Sequence, residues 1–254
     1  MLVQSGSTSI LIDAGLSLRS ISPQFSKRGV HISGLSAILI THEHADHISG
    51  LGPIARKSNA PVISNAATIH ACLARDELGY EAQELPTGDT RGIGSIGVRS
   101  FPISHDAAEP VGWILEVGKT KIVYATDIGV CTIALAEALS MADLIILEAN
   151  HDLDWLERGS YTREMKARVA SDTGHLSNDS CAAAISERLE RDGPTTIWLA
   201  HLSRVNNSPS LARKTVQAGI AARTRVPFSL DVALRDHPSV SWWSRRQSVQ
   251  LSLM

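Results

Sequence analysis

Short apolar runs alternate with amphipathic stretches along the whole chain, and no internal repeat or low-complexity tract interrupts them. Residues 9–13 and 37–41 are short, rich in Ile and Leu, and bounded by polar or turn residues, the pattern of buried strands. Between them, 16–27 has the spacing of a helix stopped at Gly29. Helices are expected at 48–57 and 66–78, the second capped by Asn65 and ended by Gly79. The Gly-rich stretch 92–116 is β-like, and 119–126 is a further strand after a turn at Gly118. A helix at 132–140, strands at 143–148 and 195–201, and helices at 179–190 and 210–223 complete the pattern. Strands come first, then strands mixed with helices, and the arrangement repeats once with variation. This order fits an α/β (α+β) fold of two sheets packed face to face with helices outside, a four-layer αββα sandwich. A doubly wound parallel sheet suits the hairpin-like stretch 112–126 poorly. No Pro-, Gly- or Ser-rich linker divides the chain, so one domain is expected.

Composition narrows the class. Of 254 residues, 43% are hydrophobic, and 24 basic side chains face 26 acidic ones for a net charge of −2. Such a chain buries a core without staples, and it is neither a disordered segment nor a uniformly basic nucleic-acid wrapper. Charge is uneven: residues 1–150 carry 10 basic and 15 acidic side chains (−5), and 151–254 carry 14 and 11 (+3). Cys72, Cys131 and Cys181 are far apart and form no CxxC, which argues against a disulfide framework or a thiolate metal site and suits a reducing compartment. No signal-peptide pattern opens the chain, and no apolar run approaches the ~20 residues that span a bilayer. A cytoplasmic protein without membrane contact is expected.

Histidine changes the picture. There are ten, and three fall in His42-Glu43-His44-Ala45-Asp46-His47, directly after the strand at 37–41. Imidazoles two apart at a strand end, His42 and His44, can hold one divalent ion, while Asp46 and His47 face a second. Nitrogen and oxygen donors suit Zn or Mn. More ligands are needed, and His105, Asp127 and His201 each lie just past an apolar strand, where loops bring side chains to one rim of a sheet. Asp127, a carboxylate, is the natural bridge between two cations. His31, His70 and His237 have no partner spacing and read as structural or exposed.

These residues, with Asp13 in Leu11-Ile12-Asp13-Ala14-Gly15, resemble the metallo-β-lactamase fold superfamily over nearly the whole chain, to about residue 236. The resemblance implies that His42, His44 and His105 hold one metal ion, that Asp46, His47 and His201 hold the other, and that Asp127 bridges. It also implies that Asp13 supports the His-rich loop. The segments Ile103-Ser104-His105-Asp106-Ala107-Ala108-Glu109-Pro110, Leu147-Glu148-Ala149-Asn150-His151-Asp152, Gly174-His175-Leu176-Ser177-Asn178, Ala200-His201-Leu202-Ser203 and Asn206-Asn207-Ser208-Pro209 are similar to the YycJ/WalJ group. That resemblance implies 5′→3′ exonuclease action on double-stranded DNA. Members of the group usually begin with an additional strand, whereas Met1-Leu2-Val3-Gln4 looks like the strand that follows it. A hydrolase domain at 1–238 is therefore expected, with 239–254, including Trp242, Trp243, Arg245 and Arg246, as a C-terminal extension of unassigned role.

Two cations would lower the pKa of a shared water from 15.7 toward about 7, giving a metal-bridged hydroxide, and would neutralise charge on a phosphoryl oxygen. The leaving oxygen then needs a proton. His175, after Gly174 and just before a helix start, is the candidate general acid, with Glu148 at a strand end to orient it. A similar Glu–His pair is implied by resemblance to the branch containing tRNA-processing ribonuclease Z. The candidate catalytic residues are thus Asp46, His175 and Glu148. His151 and Asp152 are candidate substrate contacts, as are Ser177 and Asn178, which either cap the helix at 179–190 or offer its N-terminus to a phosphate. Arg158, Arg163, Lys166 and Arg168 form either a basic lid on the nucleic-acid backbone or a solvated helix face.

Three functions compete: an exonuclease at duplex DNA ends, a small-molecule hydrolase of the same fold cleaving a thioester or lactone, and a non-catalytic DNA-binding protein. The full ligand set disfavours the last. Only 21 residues separate His105 from Asp127, too few for the long tRNA-binding arm of the ribonuclease Z branch.

Overall fold

The computed structural model describes residues 1–75, 79–193, 195–235, 237–244 and, through their backbone, 249–252. In chain order the elements are β1 (Leu2–Ser5), β2 (Thr8–Ile12), α1 (Leu18–Ser26), β3 (Ala37–Leu39), α2 (Ala45–Ile48), α3 (Leu51–Ser58), β4 (Val62–Ser64), α4 (Ala66–Leu73), β5 (Ala82–Glu84), β6 (Thr90–Ile93), β7 (Ile96–Pro102) and β8 (Val111–Val117). Then follow β9 (Thr120–Ala125), α5 (Ile133–Ser140), β10 (Leu144–Glu148), α6 (Leu153–Arg158), α7 (Arg163–Val169), α8 (Asn178–Asp192), β11 (Thr196–Ala200), α9 (Pro209–Ala221), β12 (Ser229–Val232), β13 (Ser241–Trp243) and β14 (Val249–Ser252). Two seven-stranded sheets with flanking helices give the mixed architecture of the expected αββα class.

The chain divides into two compact units, residues 1–100, 107–120 and 241–254 in one, and 101–106 and 121–240 in the other. The first unit contains the sheet β13-β14-β1-β2-β3-β4-β5. Its β2, β3, β4 and β5 run parallel, while β1 is antiparallel to both β2 and β14. Its core includes Leu11, Phe25, Ile38, Ile40, Leu51, Ile54 and Val62. In α1, Ser17 accepts the Ser20 N–H as an N-cap, and the chain leaves the helix at Gly29 with φ +69°.

The second unit is built on the parallel run β9-β10-β11-β12. All of Leu144–Glu148 is buried, the signature of a strand covered on both faces. The helix α8 packs against α5 and α9. Its cap is Ser177, whose hydroxyl accepts the Ser180 N–H, and the cap of α9 is Ser208.

The structure departs from expectation where elements are short. The helix expected at 48–57 is two pieces, because Gly50 turns the chain between α2 and α3 and donates its N–H to the Ala14 carbonyl. The helix expected at 66–78 is described as α4 to Leu73, and 76–78 lie outside the described residues. The strands β4, β5 and β12 and the helices α6 and α7 have three to seven residues each, too few for periodicity to declare them. In the tail, β13 pairs with β14, and β14 with β1. Trp243 is exposed, and Arg245 and Arg246 lie outside the described residues.

Candidate metal centre and proton-donor pair

In the first unit the histidine-rich segment leaves β3 and enters α2, which carries Asp46 and His47. Asp13 follows β2 with φ +56°, a left-handed turn that Asp tolerates better than most residues. Its carboxylate accepts from the Thr41 amide at 2.9 Å, from the Thr41 hydroxyl at 3.0 Å and from His47 Nδ1 at 2.9 Å. The Thr41 oxygen in turn lies 3.0 Å from His42 Nδ1. Both imidazoles are therefore held through Nδ1, the arrangement that orients Nε2 as a metal ligand. The His42 ring lies 4.6 Å from that of His44 and 4.2 Å from that of His47, centroid to centroid. Burial alone would raise the Asp13 carboxyl, but the charge and hydrogen bond of His47 and the Thr41 amide outweigh it and hold the group below its ordinary 3.8.

The loop after Asp13 clamps this helix. Ala14 N–H donates to His47 O at 2.7 Å, and a Cβ on Gly15 would stand 1.6 Å from the Asp46 carbonyl oxygen, so only glycine fits. Glu43, the residue between the first two histidines, accepts the Ala108 N–H at 2.9 Å and fixes the loop after His105. No periodic signal marked that role.

In the second unit the central group is Glu148, with no exposed surface. One oxygen accepts the Ile128 and Leu176 amides at 2.7 and 3.1 Å. The other lies 2.9 Å from His175 Nδ1 and 2.8 Å from His201 Nδ1. The expected Glu148–His175 contact is thus present, and the same carboxylate also orients His201. Burial would raise Glu148, yet the His175 charge and the hydrogen bonds from both imidazoles bring it from 4.5 to about 2. Burial lowers His175, but Glu148 and Asp127 more than compensate and hold it above its ordinary 6.5. With Nδ1 engaged by Glu148, Nε2 is the other nitrogen His175 offers for chemistry.

Asp127 and His201 adopt left-handed backbone at φ +60° and +55°, each just past its strand. His105 points Nδ1 at the Gly174 carbonyl at 3.0 Å, and its Nε2 lies 3.7 Å from Asp127 Oδ1. A Cβ on Gly174 would meet the Arg168 carbonyl at 2.2 Å, so glycine alone permits this turn. Asp127, Glu148, His175 and His201 offer ligand-type atoms within 4.8 Å of one another. Imidazole nitrogens and carboxylate oxygens, with His42, His47, His105 and His201 anchored through Nδ1, are a donor set that fits divalent zinc or manganese.

The asparagine-rich motifs act behind these side chains. Asn150 Nδ2 donates to the His201 carbonyl, and Asn207 Nδ2 to the carbonyls of Ala149 and Asn150 and to Asn178 Oδ1. Asn178 is fully buried, Ser177 caps α8, Asp152 caps α6, and His151 is 1% exposed. All four expected substrate contacts are thus hydrogen-bonded into the framework or buried. In the segment 152–172 the four bases Arg158, Arg163, Lys166 and Arg168 are offset by five acids, Asp152, Asp154, Glu157, Glu164 and Asp172. Arg168 is paired with Asp106 at 2.7 Å, and Lys166 donates to the Glu157 carbonyl. His31, His70 and His237 are exposed.

Two histidine-bearing rims, each organised by a carboxylate, define a metal-dependent hydrolase with clusters suited to a dinuclear divalent-metal centre. A family model described as "Beta-lactamase superfamily domain" matches residues 8–202. The chain belongs to the metallo-β-lactamase superfamily and is related to its YycJ/WalJ-like exonuclease members. It is 37% identical over 215 residues to Exodeoxyribonuclease YycJ of Bacillus anthracis, covering 82% of this chain and 79% of that protein. To Exodeoxyribonuclease WalJ of Streptococcus pneumoniae it is 36% identical over 218 residues, covering 84% and 81%. The metallo-β-lactamase fold protein YhfI of Bacillus subtilis superposes with a TM-score of 0.68 at 18% identity, over 91% of this chain and 87% of that one, which shows the shared fold. Among the described residues no helix is long and apolar enough to cross a membrane.

Proposed function

We propose that this hydrolase is a 5′→3′ exonuclease acting at the ends of double-stranded DNA, with His175 as its general acid. The ligand set is the one implied by the family resemblance: His42, His44 and His105 for one ion, Asp46, His47 and His201 for the other, and Asp127 for both. Bound there, two divalent ions would supply a nucleophilic water at neutral pH and neutralise charge on the phosphoryl oxygen. The chain's own residues do the rest. Asp13 and Glu148 fix ring orientations, and His175 gives its Nε2 proton to the leaving oxygen as the phosphodiester opens.

The observation that carries this reading is the Glu148–His175 pair, 2.9 Å apart with the carboxylate fully buried. A poor alkoxide leaving group needs such a donor far more than the thiolate of a thioester does. The relatives named as exodeoxyribonucleases favour DNA as the substrate. Free Cys72, Cys131 and Cys181 accord with action in the cytoplasm.

The test uses Mn²⁺-loaded enzyme and a linear, 5′-phosphorylated duplex. Nucleotide release is expected from the wild type and is abolished in Asp46→Ala. His175→Ala lowers kcat on DNA by about 10²–10⁴ with metal content unchanged, and by much less on bis(p-nitrophenyl) phosphate, whose leaving group needs no proton. Equal losses on both substrates reject the general-acid role. Lactone or thioester turnover without nucleotide release replaces the reading with a small-molecule hydrolase.

A further inference from the structure

The helix α6 carries an indole that stands about half in solvent. Trp113 and Trp198 are buried, whereas Trp155 is 46% exposed. The anchor of α6 is instead Leu156, which is buried. Trp155 stands with Val205 and Leu211 along a cleft of about 510 Å³, whose polar positions are Asp152, Asp154 and Arg158. That volume lies in the range of about 300–1,000 Å³ typical of small-molecule sites. Val205 is as exposed as Trp155, so two large apolar side chains face solvent here.

The cleft is tied through the chain to the Glu148–His175 pair. Asp152 opens α6 four residues after Glu148, and four residues span at most about 14 Å. The Asp152 N–H donates to the Asn206 carbonyl, and Asn150 Nδ2 to that of His201, so the same backbone belongs to both places.

We propose that this cleft seats one unstacked nucleobase of the strand being degraded, an inference that rests on the nuclease reading above. The indole supplies a stacking face and Arg158 a guanidinium plane, the pair that single-strand binders use for bases of any sequence. Beside the guanidinium, Asp154 and the Asp152 oxygen that does not cap α6 repel a phosphate but accept the amino groups of a base edge. A second protein copy would want an uncharged apolar centre, and the three ionic groups in the cleft disfavour it. A seated base would hold the strand end in register with His175 without contributing to the chemistry.

The test crosses Trp155→Ala with base removal. Substrates are 5′-phosphorylated duplexes carrying an abasic residue at each of the first three nucleotides in turn, and KM and kcat are measured with Mn²⁺-loaded enzyme. On intact duplex, Trp155→Ala is expected to raise KM about 5- to 150-fold, the range alanine substitution gives for a base–aromatic stack. Trp155→Phe, which keeps an aromatic face, restores most of the affinity, and matching thermal melts exclude misfolding. At one abasic position the wild type shows the same loss, and Trp155→Ala adds nothing to it. Unchanged KM, or effects that multiply independently at all three positions, overturn the proposal. So does sedimentation in which Trp155→Ala turns a dimer into a monomer with KM unaltered, which assigns the face to a second copy. Digestion of intact duplex by the wild type is scored in the same assay: digestion without coupling ends this inference alone, and no digestion ends it together with the nuclease reading.

Discussion

In the first unit Asp13 reaches His47 directly and His42 through the Thr41 hydroxyl, whereas in the second Glu148 grips His175 and His201 with one oxygen and two amides with the other. The Asp13 side chain keeps 9% of its surface, and that of Glu148 keeps none. Water can replace part of what Asp13 does. Nothing can replace Glu148, because four donors converge on a group sealed from solvent. The same task, orienting two imidazoles through Nδ1, is thus done once with a relay and some tolerance, and once with neither.

Glu148→Ala is the sharpest way to test that difference. It strands two amides and two imidazoles in the interior, and urea unfolding is expected to show a loss of about 3–5 kcal/mol, with activity lost as well. Asp13→Ala is expected to cost less stability, about 1–3 kcal/mol, and to show chiefly as metal affinity 10- to 100-fold weaker in chelator competition. Equal stability losses would break the comparison.

Acid probes the same carboxylate without a substitution. The folded pKa of Glu148 lies below its ordinary 4.5, so its contribution is complete above pH 4.5 and disappears as pH falls toward about 2. His175 has the opposite sign: raised above 6.5, it contributes fully below that pH and loses its contribution as pH climbs through the folded value. In Glu148→Gln both slopes should flatten in stability measured against pH on metal-free protein. A slope below pH 4.5 that survives the substitution assigns it to another carboxylate.

The two rims were also unequally legible. His42, His44, Asp46 and His47 sit within six positions, so their chemistry shows in the sequence as a cluster. Asp127, Glu148, His175 and His201 are spread over 75 residues, and the hints were that Asp127, Glu148 and His201 stand at strand ends and His175 just before a helix start. That one glutamate serves two imidazoles was not legible, because it depends on the register of β10 against β11, which places Glu148 beside Ala200, just before His201. Nor did residue type announce the left-handed backbone at Asp13, Asp127 and His201, since most aspartates and histidines are not so bent. The asparagine motifs were visible as words without meaning. Their interlocking amides exist only once three distant loops meet.

The tail pairing described for β14 has a consequence of another kind. Hydrogen-bonded to β2 on one side and β14 on the other, β1 is an interior strand of its sheet. Stripped of the tail, the four residues of β1 would present an open row of backbone donors and acceptors, and such rows recruit strands from other molecules. In that sense β14 acts as a selvedge, finishing that side of β1 so that it does not catch on its neighbours.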